Sequence, residues 1–379
     1  MQRQPDGNPI WKAVGMPAVK WLSLSGILVM LSLLLSGEIA PPKVLDEPDP
    51  GPGAGQSGSN PFDLGALRER LPPEALAQVE RYIAYYRNDR RRGFRDALAR
   101  STRYIETFQR MFEDKGLPGE LAFLPLIESG FMETAVSPAR AVGVWQFIEE
   151  TGRRYNLKSS PWFDQKRDPI ESSRAAAAYL GHLFKEFQDW DLALAAYNSG
   201  SGTVRWAVKS NRKANLPTGF WDLDLPDETR TYVPAFLAAM LIAKNPVAFG
   251  FEEIDFHPQI VYEQIKVNPG IHLADLAAHL DTDLKALQEL NPALLTSVTP
   301  PGKKPYILRV PRGVRDDLTR NLIGQSVSNP DWVVHRVRSN DTLQRLASRF
   351  GSNANLIMKT NGLRSNSDLR PGRFVIIPL

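Results

Sequence analysis

Residues 121–146 read LAFLPLIESGFMETAVSPARAVGVWQ, and this stretch decides the fold. It sets one carboxylate, Glu128, at the end of an apolar run that begins at Leu121, which predicts a short buried helix stopped by Gly130. An apolar wall keeps a catalytic acid protonated near neutral pH, because burial disfavours the charged form. Glu128 is therefore the first candidate for chemistry. The alternative is a structural Glu at a helix end, paired with an Arg or capping a neighbouring helix.

Three further motifs follow Glu128 along the chain. They are GVWQ at 143–146, AYNSG at 196–200 and ETRTYVP at 228–234. Together with the segment around Glu128, these three motifs resemble, in their order and chemistry, the lytic transglycosylases of the goose-type-lysozyme-like superfamily. The resemblance is strongest to the D-type membrane-bound lytic murein transglycosylases. The resemblance covers residues 61–250 as one domain, and it implies that they form a mainly α-helical, lysozyme-like catalytic fold.

The resemblance also implies a role for each motif residue. The family's catalytic acid/base corresponds to Glu128 in this sequence. The family's substrate-binding positions correspond to Ser129, Ser137, Gln146, Tyr197, Asn198 and Tyr232. Apart from the resemblance, sugar hydroxyls and N-acetyl groups need neutral donors, neutral acceptors and aromatic faces, which such side chains offer. Tyr232 lies four residues after Glu228 on one helical face, so a structural hydrogen-bonded pair is the alternative for these two. We expect Trp145 in the core.

Only one carboxylate of this region is well placed for catalysis. The other nearby acids lie in segments typical of solvated surface or helix caps, so we expect structural roles for Glu133, Glu149, Glu150, Asp164 and Asp168. A single carboxylate suits a reaction in which Glu128 protonates the glycosidic oxygen and then, once ionised, takes a proton from the substrate's own 6-hydroxyl.

The resemblance implies that reaction: cleavage of the β-1,4 bond between N-acetylmuramic acid and N-acetylglucosamine of peptidoglycan, with 1,6-anhydromuramic ends. Spacing alone does not separate it from hydrolysis. A hydrolytic muramidase is the alternative within enzymes, and it needs a second carboxylate to activate water. A non-catalytic peptidoglycan-binding protein is the alternative from a different class.

Composition and charge exclude other classes of function. The 379 residues carry 46 Lys and Arg against 42 Asp and Glu, and they contain no Arg-rich or aromatic signature of nucleic-acid binding. Five scattered His and no Cys give no metal-ligand spacing. We therefore expect no nucleic acid, no metal and no cofactor. The expected partner is the peptidoglycan glycan strand, and the sequence identifies no protein partner.

The N-terminal 40 residues predict a membrane anchor or a secretory signal. Lys12 and Lys20 precede Trp21–Gly37, an uncharged run of mostly Leu, Ile, Val and Met. The run is slightly short for a membrane span, which leaves a cleavable signal open. The exit around Glu38 lacks the small residues of a cleavage site, so we expect an uncleaved anchor, followed by a flexible linker over 41–60. The chain would then act at the periplasmic face of a bacterial inner membrane or, if cleaved, free in the periplasm.

The C-terminal part contains an internal repeat at an offset of seventy residues. Apolar and Asn positions of the first copy recur in the second: Val267 as Val337, Leu276 as Leu346 and Asn291 as Asn361. Each copy predicts a strand, two short helices and a strand, giving two small α+β modules over 258–313 and 330–379.

The second copy resembles a LysM module, through NDTL at 340–343 and RPGRFVIIP at 370–378. The resemblance implies binding of glycan chains that contain N-acetylglucosamine, with contacts from the turn at Asp341 and Thr342 and the loop at Asn361 and Gly362. The first copy has NPGIH at 268–272 in place of that turn, which makes its glycan binding doubtful. For both copies the alternative is a degenerate packing module.

Overall fold

A computed structural model of the chain describes residues 60–62, 64–300, 305–314 and 332–379. The predicted anchor over 1–40 lies outside the described residues, and so does the predicted linker over 41–60 except for its last residue. Among the helices that the structure describes, none combines the length and the apolar character that crossing a membrane requires.

The first part of the chain is helical. Its α-helices are α1 (Leu64–Arg70), α2 (Pro73–Arg87), α3 (Arg91–Ser101), α4 (Ile105–Glu113), α5 (Pro125–Glu128), α6 (Glu149–Arg154), α7 (Pro169–Phe187), α8 (Trp190–Ser199), α9 (Ser201–Lys213) and α10 (Asp227–Lys244). Short 3-10 helices cover Gly119–Phe123, Gln165–Arg167, Phe220–Asp222 and Val247–Phe249. This helical domain, followed by two small α+β modules, is the predicted fold class.

The core of the helical domain forms where amphipathic faces meet α10. Apolar residues in α2 recur at steps of three and four residues, which predicts one buried helix face. Val79, Ile83 and Tyr86 lie on this face, and all three are buried. The ring of Tyr86 stacks on Phe94 at 4.4 Å, and its hydroxyl reaches the carbonyl of Ala235 in α10 at 3.4 Å. These contacts fix α10, which carries Tyr232, against the N-terminal helices.

The segment around Glu128 is buried, but it is not the single helix expected from Leu121. It consists of the 3-10 helix Gly119–Phe123 and the one-turn helix α5, which begins at Pro125. Proline is suited to the first turn of a helix because it has no N–H to donate, and its ring prevents the preceding turn from continuing as α-helix. The chain then leaves α5 through Gly130, whose φ of +60° is accessible to glycine at low cost.

Helix caps in the following segment match the expectation in one case and differ in another. Asp168 caps α7 by accepting hydrogen bonds from the backbone N–H groups of Ile170 and Glu171, with proline at the first helical position. The sequence DLALAAYNSG at 191–200 predicts a helix with Asp191 near its N-cap, but α8 is capped by Asp189 instead. Asp191 lies two residues further on, where its buried carboxylate pairs with Arg70 at 2.5 Å.

Each C-terminal module has the predicted order of strand, two helices and strand. The first contains β1 (Tyr262–Val267), α11 (Leu273–His279), α12 (Leu284–Leu290) and β2 (Tyr306–Pro311), and the second β3 (Trp332–Arg336), α13 (Leu343–Phe350), α14 (Ala354–Thr360) and β4 (Phe374–Pro378). In both modules the two strands pair antiparallel. The register joins Tyr262 to Pro311 in the first and Trp332 to Pro378 in the second.

The repeated asparagine explains why the two modules share their fold. The amide of Asn291 donates to the carbonyls of Leu287 and Arg309, and its Oδ1 accepts from the Arg309 N–H. Asn361 makes the same three bonds, to Ile357 and Ile376. A buried amide that joins the end of the second helix to the last strand satisfies all its own polar atoms, so it is retained in both copies.

The first module is packed directly on the helical domain. The guanidinium of Arg309 binds both carboxylate oxygens of Asp168, at 2.8 and 2.9 Å, in a pair that is almost fully buried. Backbone bonds join Asp164 N–H to the Ala293 carbonyl and Leu295 N–H to the Trp162 carbonyl, each at 2.8 Å. Two backbone bonds and a bidentate ion pair hold the module in one orientation.

Apolar contacts attach the second module to the same face. Trp162 of the helical domain, Val298 of the first module and Ile376 of the second form one buried cluster. Trp332 packs so closely on Gly270 that a Cβ at this glycine would lie 2.2 Å from the indole ring. The three parts of the chain therefore meet around Trp162.

Candidate active site

Glu128 lies at a cleft of about 280 Å³ in the helical domain, and only 7% of its surface is exposed. The cleft is built by the end of α5, the loop that follows it, and helices α6, α7, α8 and α10. Its lining contains four of the predicted substrate-binding residues, namely Ser137, Gln146, Tyr197 and Asn198. Tyr232 contacts Glu128 directly, and Ser129 is not among the lining side chains.

The phenol of Tyr232 donates a hydrogen bond to Oε1 of Glu128. The residues are 104 positions apart in sequence, and α10 delivers the phenol from the side of the core. Burial, and next the negative charge of Glu128, raise the pKa of Tyr232 well above its ordinary value. Tyr232 is therefore a permanent neutral donor, which stabilises the Glu128 carboxylate without neutralising it.

Tyr197 belongs to the wall of the same cleft. Its hydroxyl donates to the carbonyl of Trp145 at 2.8 Å, and its ring lies 5.2 Å from the ring of Tyr179. Burial and the charge of Glu128 raise the pKa of Tyr197 well above its ordinary value. Trp145 is fully buried, as expected, and its indole N–H donates to Ser173 at 2.7 Å. The cleft wall is thus tied to helix α7 through the core.

Gln146 is held in an unusual backbone conformation. Its φ is +50°, and its Nε2 donates to the carbonyl of Gly143 at 2.8 Å and to that of Ala135 at 3.4 Å. Gly143 is required beside it, because a Cβ there would lie 1.8 Å from the backbone oxygen of Lys166. The Oε1 of Gln146 is buried without a hydrogen-bond partner in the described part of the chain. A strained residue with an unused acceptor at a cleft suits ligand binding.

The two serines that follow Glu128 hold the loop together. Ser129 Oγ donates to the carbonyl of Val144 at 2.8 Å and accepts from the N–H of Met132 at 3.2 Å. The Ser137 hydroxyl accepts from the N–H of Ala141 at 3.0 Å, and this serine lines the cleft. We therefore interpret Ser129 as a loop-stabilising residue, and of the two only Ser137 is placed to contact substrate.

Asn198 stands at the opposite rim with Glu228. Its Oδ1 accepts from the Thr229 hydroxyl at 2.9 Å, and its Nδ2 donates to Oε1 of Glu228 at 3.5 Å. Glu228 is exposed and is the second carboxylate of the cleft lining, whereas the spacing of the motif left a structural hydrogen-bonded pair with Tyr232 as the alternative. Tyr232 instead points its hydroxyl to Glu128. Two carboxylates therefore face the cleft.

The other acids expected to be structural are engaged elsewhere. Glu133 accepts from the phenol of Tyr104 at 2.6 Å, and Asp168 is bound by Arg309. Glu149 and Asp164 both contact the buried ammonium of Lys166. The hydrogen bond that Lys166 donates to Glu149 lowers the pKa of this carboxyl group. Glu150 pairs with Arg154 on the surface. None of these five lines the cleft.

The motif analysis missed several further residues that line the cleft, among them Tyr179, Phe147 and Thr151. Tyr179 lies in the alanine-rich part of α7, which indicated tight packing and not a ligand. A phenol among small residues could have been a signal, because buried tyrosines generally need a partner for the hydroxyl. Within the described residues, no group of three or more His, Asp or Glu could hold a metal ion.

The residues of the second module that are predicted to contact glycan also form hydrogen bonds within the module. The Asp341 carboxylate binds Nε2 of His335 at 2.6 Å and the N–H of Arg338 at 2.7 Å, and Thr342 caps α13. The Asn361 side chain is buried and fully bonded to backbone, so it cannot also bind a sugar. At this loop, a glycan contact would have to come from Gly362, whose φ is +59°, and from neighbouring groups.

Three family descriptions match consecutive parts of the chain. "Transglycosylase SLT domain" matches residues 107–216, "Lytic transglycosylase MltD, LysM-like domain" matches 261–324, and "LysM domain" matches 335–378. The first match contains Glu128 and all of the cleft wall up to Gly200. The other two fall on the two β-α-α-β modules.

Two known proteins are similar in sequence to parts of this chain. Membrane-bound lytic murein transglycosylase D of Escherichia coli (strain K12) is 32% identical over 294 residues, which cover 74% of this chain and 65% of that protein. The chain thus spans slightly less than two thirds of this relative. A putative tributyltin chloride resistance protein of Alteromonas sp. (strain M-1) is 40% identical over 119 residues, covering 31% of this chain and 58% of that protein.

Among solved structures, an inactive mutant of the lytic transglycosylase Slt from Pseudomonas aeruginosa covers 41% of this chain and 25% of its own, with 26% identity and a TM-score of 0.30. That score is too low to support an argument about geometry. The family matches stand without it. The chain carries a transglycosylase SLT domain, followed by an MltD-type LysM-like domain and a LysM domain.

Proposed function

We propose that this protein is a peptidoglycan lytic transglycosylase in which Glu128 acts first as acid and then as base. The observation that carries the proposal is the buried Glu128 carboxylate at the cleft, with the neutral phenol of Tyr232 as hydrogen-bond donor. The SLT match over this segment and the murein-degrading relative support the substrate class.

Glu128 begins the reaction by donating its proton to the oxygen of the β-1,4 bond between N-acetylmuramic acid and N-acetylglucosamine. The bond between this oxygen and C1 of the muramic acid breaks, and positive charge develops at C1. The resulting Glu128 carboxylate is stabilised by the hydrogen bond from Tyr232 and by attraction to the positive charge that develops at C1.

The same carboxylate then takes the proton of the 6-hydroxyl, and O6 bonds to C1 to give the 1,6-anhydro end. No water is consumed, and Glu128 ends in its starting protonation state. Gln146, Tyr197 and Asn198 orient the sugars through neutral groups, which hold the reacting atoms in place without competing for the proton.

A hydrolytic muramidase is the second candidate, because Glu228 also faces the cleft. In that reaction Glu228 would activate a water molecule or attack C1 itself. Two features favour the first candidate. Glu228 is exposed at the rim, and it is hydrogen-bonded to Asn198.

Mass spectrometry of the products from purified peptidoglycan separates the two candidates, since anhydro ends are one water lighter than reducing ends. We expect anhydro ends from the unchanged protein, and from the Glu228→Gln variant at a similar rate. Reducing ends, or loss of turnover in Glu228→Gln, would instead favour the muramidase.

For the modules and the N-terminus, we propose peptidoglycan binding by the second module and attachment at the periplasmic face of the membrane. The LysM match supports the first, and the basic and then apolar N-terminal sequence supports the second. Sedimentation with insoluble peptidoglycan and fractionation of membranes measure these two properties, and a protein that stays soluble in both assays would contradict them.

A further inference from the structure

A second, larger cavity lies where the helical domain and the two modules meet. Its volume is about 580 Å³. The helical domain contributes Arg103, Glu133, Thr134 and Arg167 to its wall, the first module contributes α12 and the loop that follows, and the second module contributes Lys359, Thr360 and Gly362. None of these residues belongs to the catalytic cleft.

The walls of this junction cavity are fixed in position. Arg167 directly precedes Asp168, which is bound by Arg309 of the first module at 2.8 and 2.9 Å. Trp332 of the second module packs against Gly270 of the first. The cavity is therefore a formed site between packed surfaces, and binding there needs little reorganisation.

The charges of the cavity favour an anion. Four cationic side chains, Arg103, Arg167, Lys285 and Lys359, line it against two carboxylates, a surplus of two. Both carboxylates are already engaged. Tyr104 donates to Glu133 at 2.6 Å, and Glu289 lies 3.8 Å from each of Arg103 and Lys285.

Two of the arginines have donors that the protein does not use. The Nε atoms of Arg103 and Arg167 are buried and have no hydrogen-bond partner in residues 60–62, 64–300, 305–314 and 332–379. A buried N–H without a partner is costly, and the negative charge of an anion beside these guanidinium groups offsets part of that cost. Planar guanidinium groups are matched best by carboxylates or phosphates.

The cavity also lies close to the catalytic cleft along the chain. Glu133 and Thr134 line the cavity, and Ser137 lines the cleft. The four residue steps from Glu133 to Ser137 span at most roughly 14 Å even when fully extended. A substrate strand in the cleft therefore brings the groups attached to its sugars near the cationic wall.

We propose that the junction cavity binds the carboxylates of the stem peptide carried by the muramic acid of the substrate strand. This inference rests on the proposed function, because it takes peptidoglycan as the ligand of the cleft. The carboxylates of a stem peptide are the anionic groups that such a strand carries near its cleavage site. Arg167 binds them from the helical domain and Lys359 from the LysM module, so the modules contribute to substrate selection as well as to wall attachment.

The test is a calorimetric titration of the full chain carrying Glu128→Gln, which leaves the ligand uncleaved. Two ligands are compared: a short peptidoglycan oligosaccharide with its stem peptides, and the same oligosaccharide after an amidase has removed them. In this background we add Arg167→Gln, Lys359→Gln or, as the matched control, Arg92→Gln, which removes an exposed charge on α3.

We expect Arg167→Gln to weaken binding of the stem-bearing ligand about tenfold, the scale of one charge-assisted hydrogen bond. The exposed Lys359→Gln should weaken it roughly threefold, and Arg92→Gln should leave it unchanged. Binding of the peptide-free ligand should be the same in all of these variants. Should Arg167→Gln not fold, the same contrast between the two ligands in Lys359→Gln decides the question.

Equal effects on both ligands, or no effect of Arg167→Gln and Lys359→Gln on either, would overturn the proposal. Failure of the proposed function has a different signature. It would be seen in the unchanged protein as an absence of anhydro ends, whatever the binding of stem peptides.

Discussion

Glu128 and Asp168 are buried to the same extent, each with 7% of its surface exposed, yet their partners differ in kind. Asp168 is bound on both oxygens by the guanidinium of Arg309, which neutralises it. Glu128 is bound by the neutral phenol of Tyr232 and faces a cleft. A cation makes a buried carboxylate a fixed structural charge, whereas a neutral donor leaves its proton exchange available for chemistry.

The largest expected effect is on activity, at Glu128. Glu128→Gln keeps the shape of the side chain and removes the proton donor, so peptidoglycan turnover should fall at least ~10²-fold. Thermal unfolding should change little, since the Tyr232 phenol can still donate to the amide oxygen. Turnover close to that of the unchanged protein would show that Glu128 is not the catalytic acid. The functional distinction between Glu128 and Asp168 would then be wrong as well.

The next effect is on stability, at Arg309. Arg309→Met leaves the Asp168 carboxylate buried without its cation, which should lower the free energy of unfolding by about 3 kcal/mol. Chemical denaturation measures it, and Arg312→Gln, an exposed arginine just after β2, serves as control. The double variant Asp168→Asn with Arg309→Met should recover part of the loss, because no uncompensated charge remains. An unchanged midpoint in Arg309→Met would mean that the buried pair does not hold the module.

The smallest of the three effects is at Tyr232. Tyr232→Phe removes the donor to Glu128 but keeps the acid, so turnover should fall about tenfold, less than in Glu128→Gln. Tyr155→Phe is the control for loss of a phenol hydroxyl, because Tyr155 is only half-buried and contacts Tyr179 through its ring. If the two tyrosine variants behave alike, the neutral partner does not contribute to the chemistry of Glu128.

Local patterns in the sequence predicted the parts that depend on neighbouring residues. The periodicity of α2, the Asp168 cap with Pro169, and the order of strands and helices in both modules all follow from steps of a few residues. The bounds of the helix before Glu128 were wrong, because Pro125 divides it into a 3-10 turn and a single α-turn. Local rules give the existence of an element more reliably than its ends.

The candidate site was predicted only in part, because local sequence patterns do not show what each side chain contacts in the folded protein. The motifs located Glu128, Ser137, Gln146 and Tyr197 at one cleft. They did not reveal that the Ser129 hydroxyl bonds to the Val144 carbonyl. A serine beside a catalytic acid looks the same in sequence whether its hydroxyl faces a substrate or the backbone.

By itself, the sequence determined the helical domain, the repeated modules and the position of Glu128 at the end of a buried segment, because hydrophobic spacing, caps and motif order are local and additive. Only the tertiary structure decided which carboxylate receives a cation and which a phenol. The Arg309–Asp168 pair joins positions 141 residues apart, and the Tyr232–Glu128 bond joins positions 104 apart. Such pairings depend on how whole elements pack, since burial forces each polar group to find its partner wherever the fold brings one.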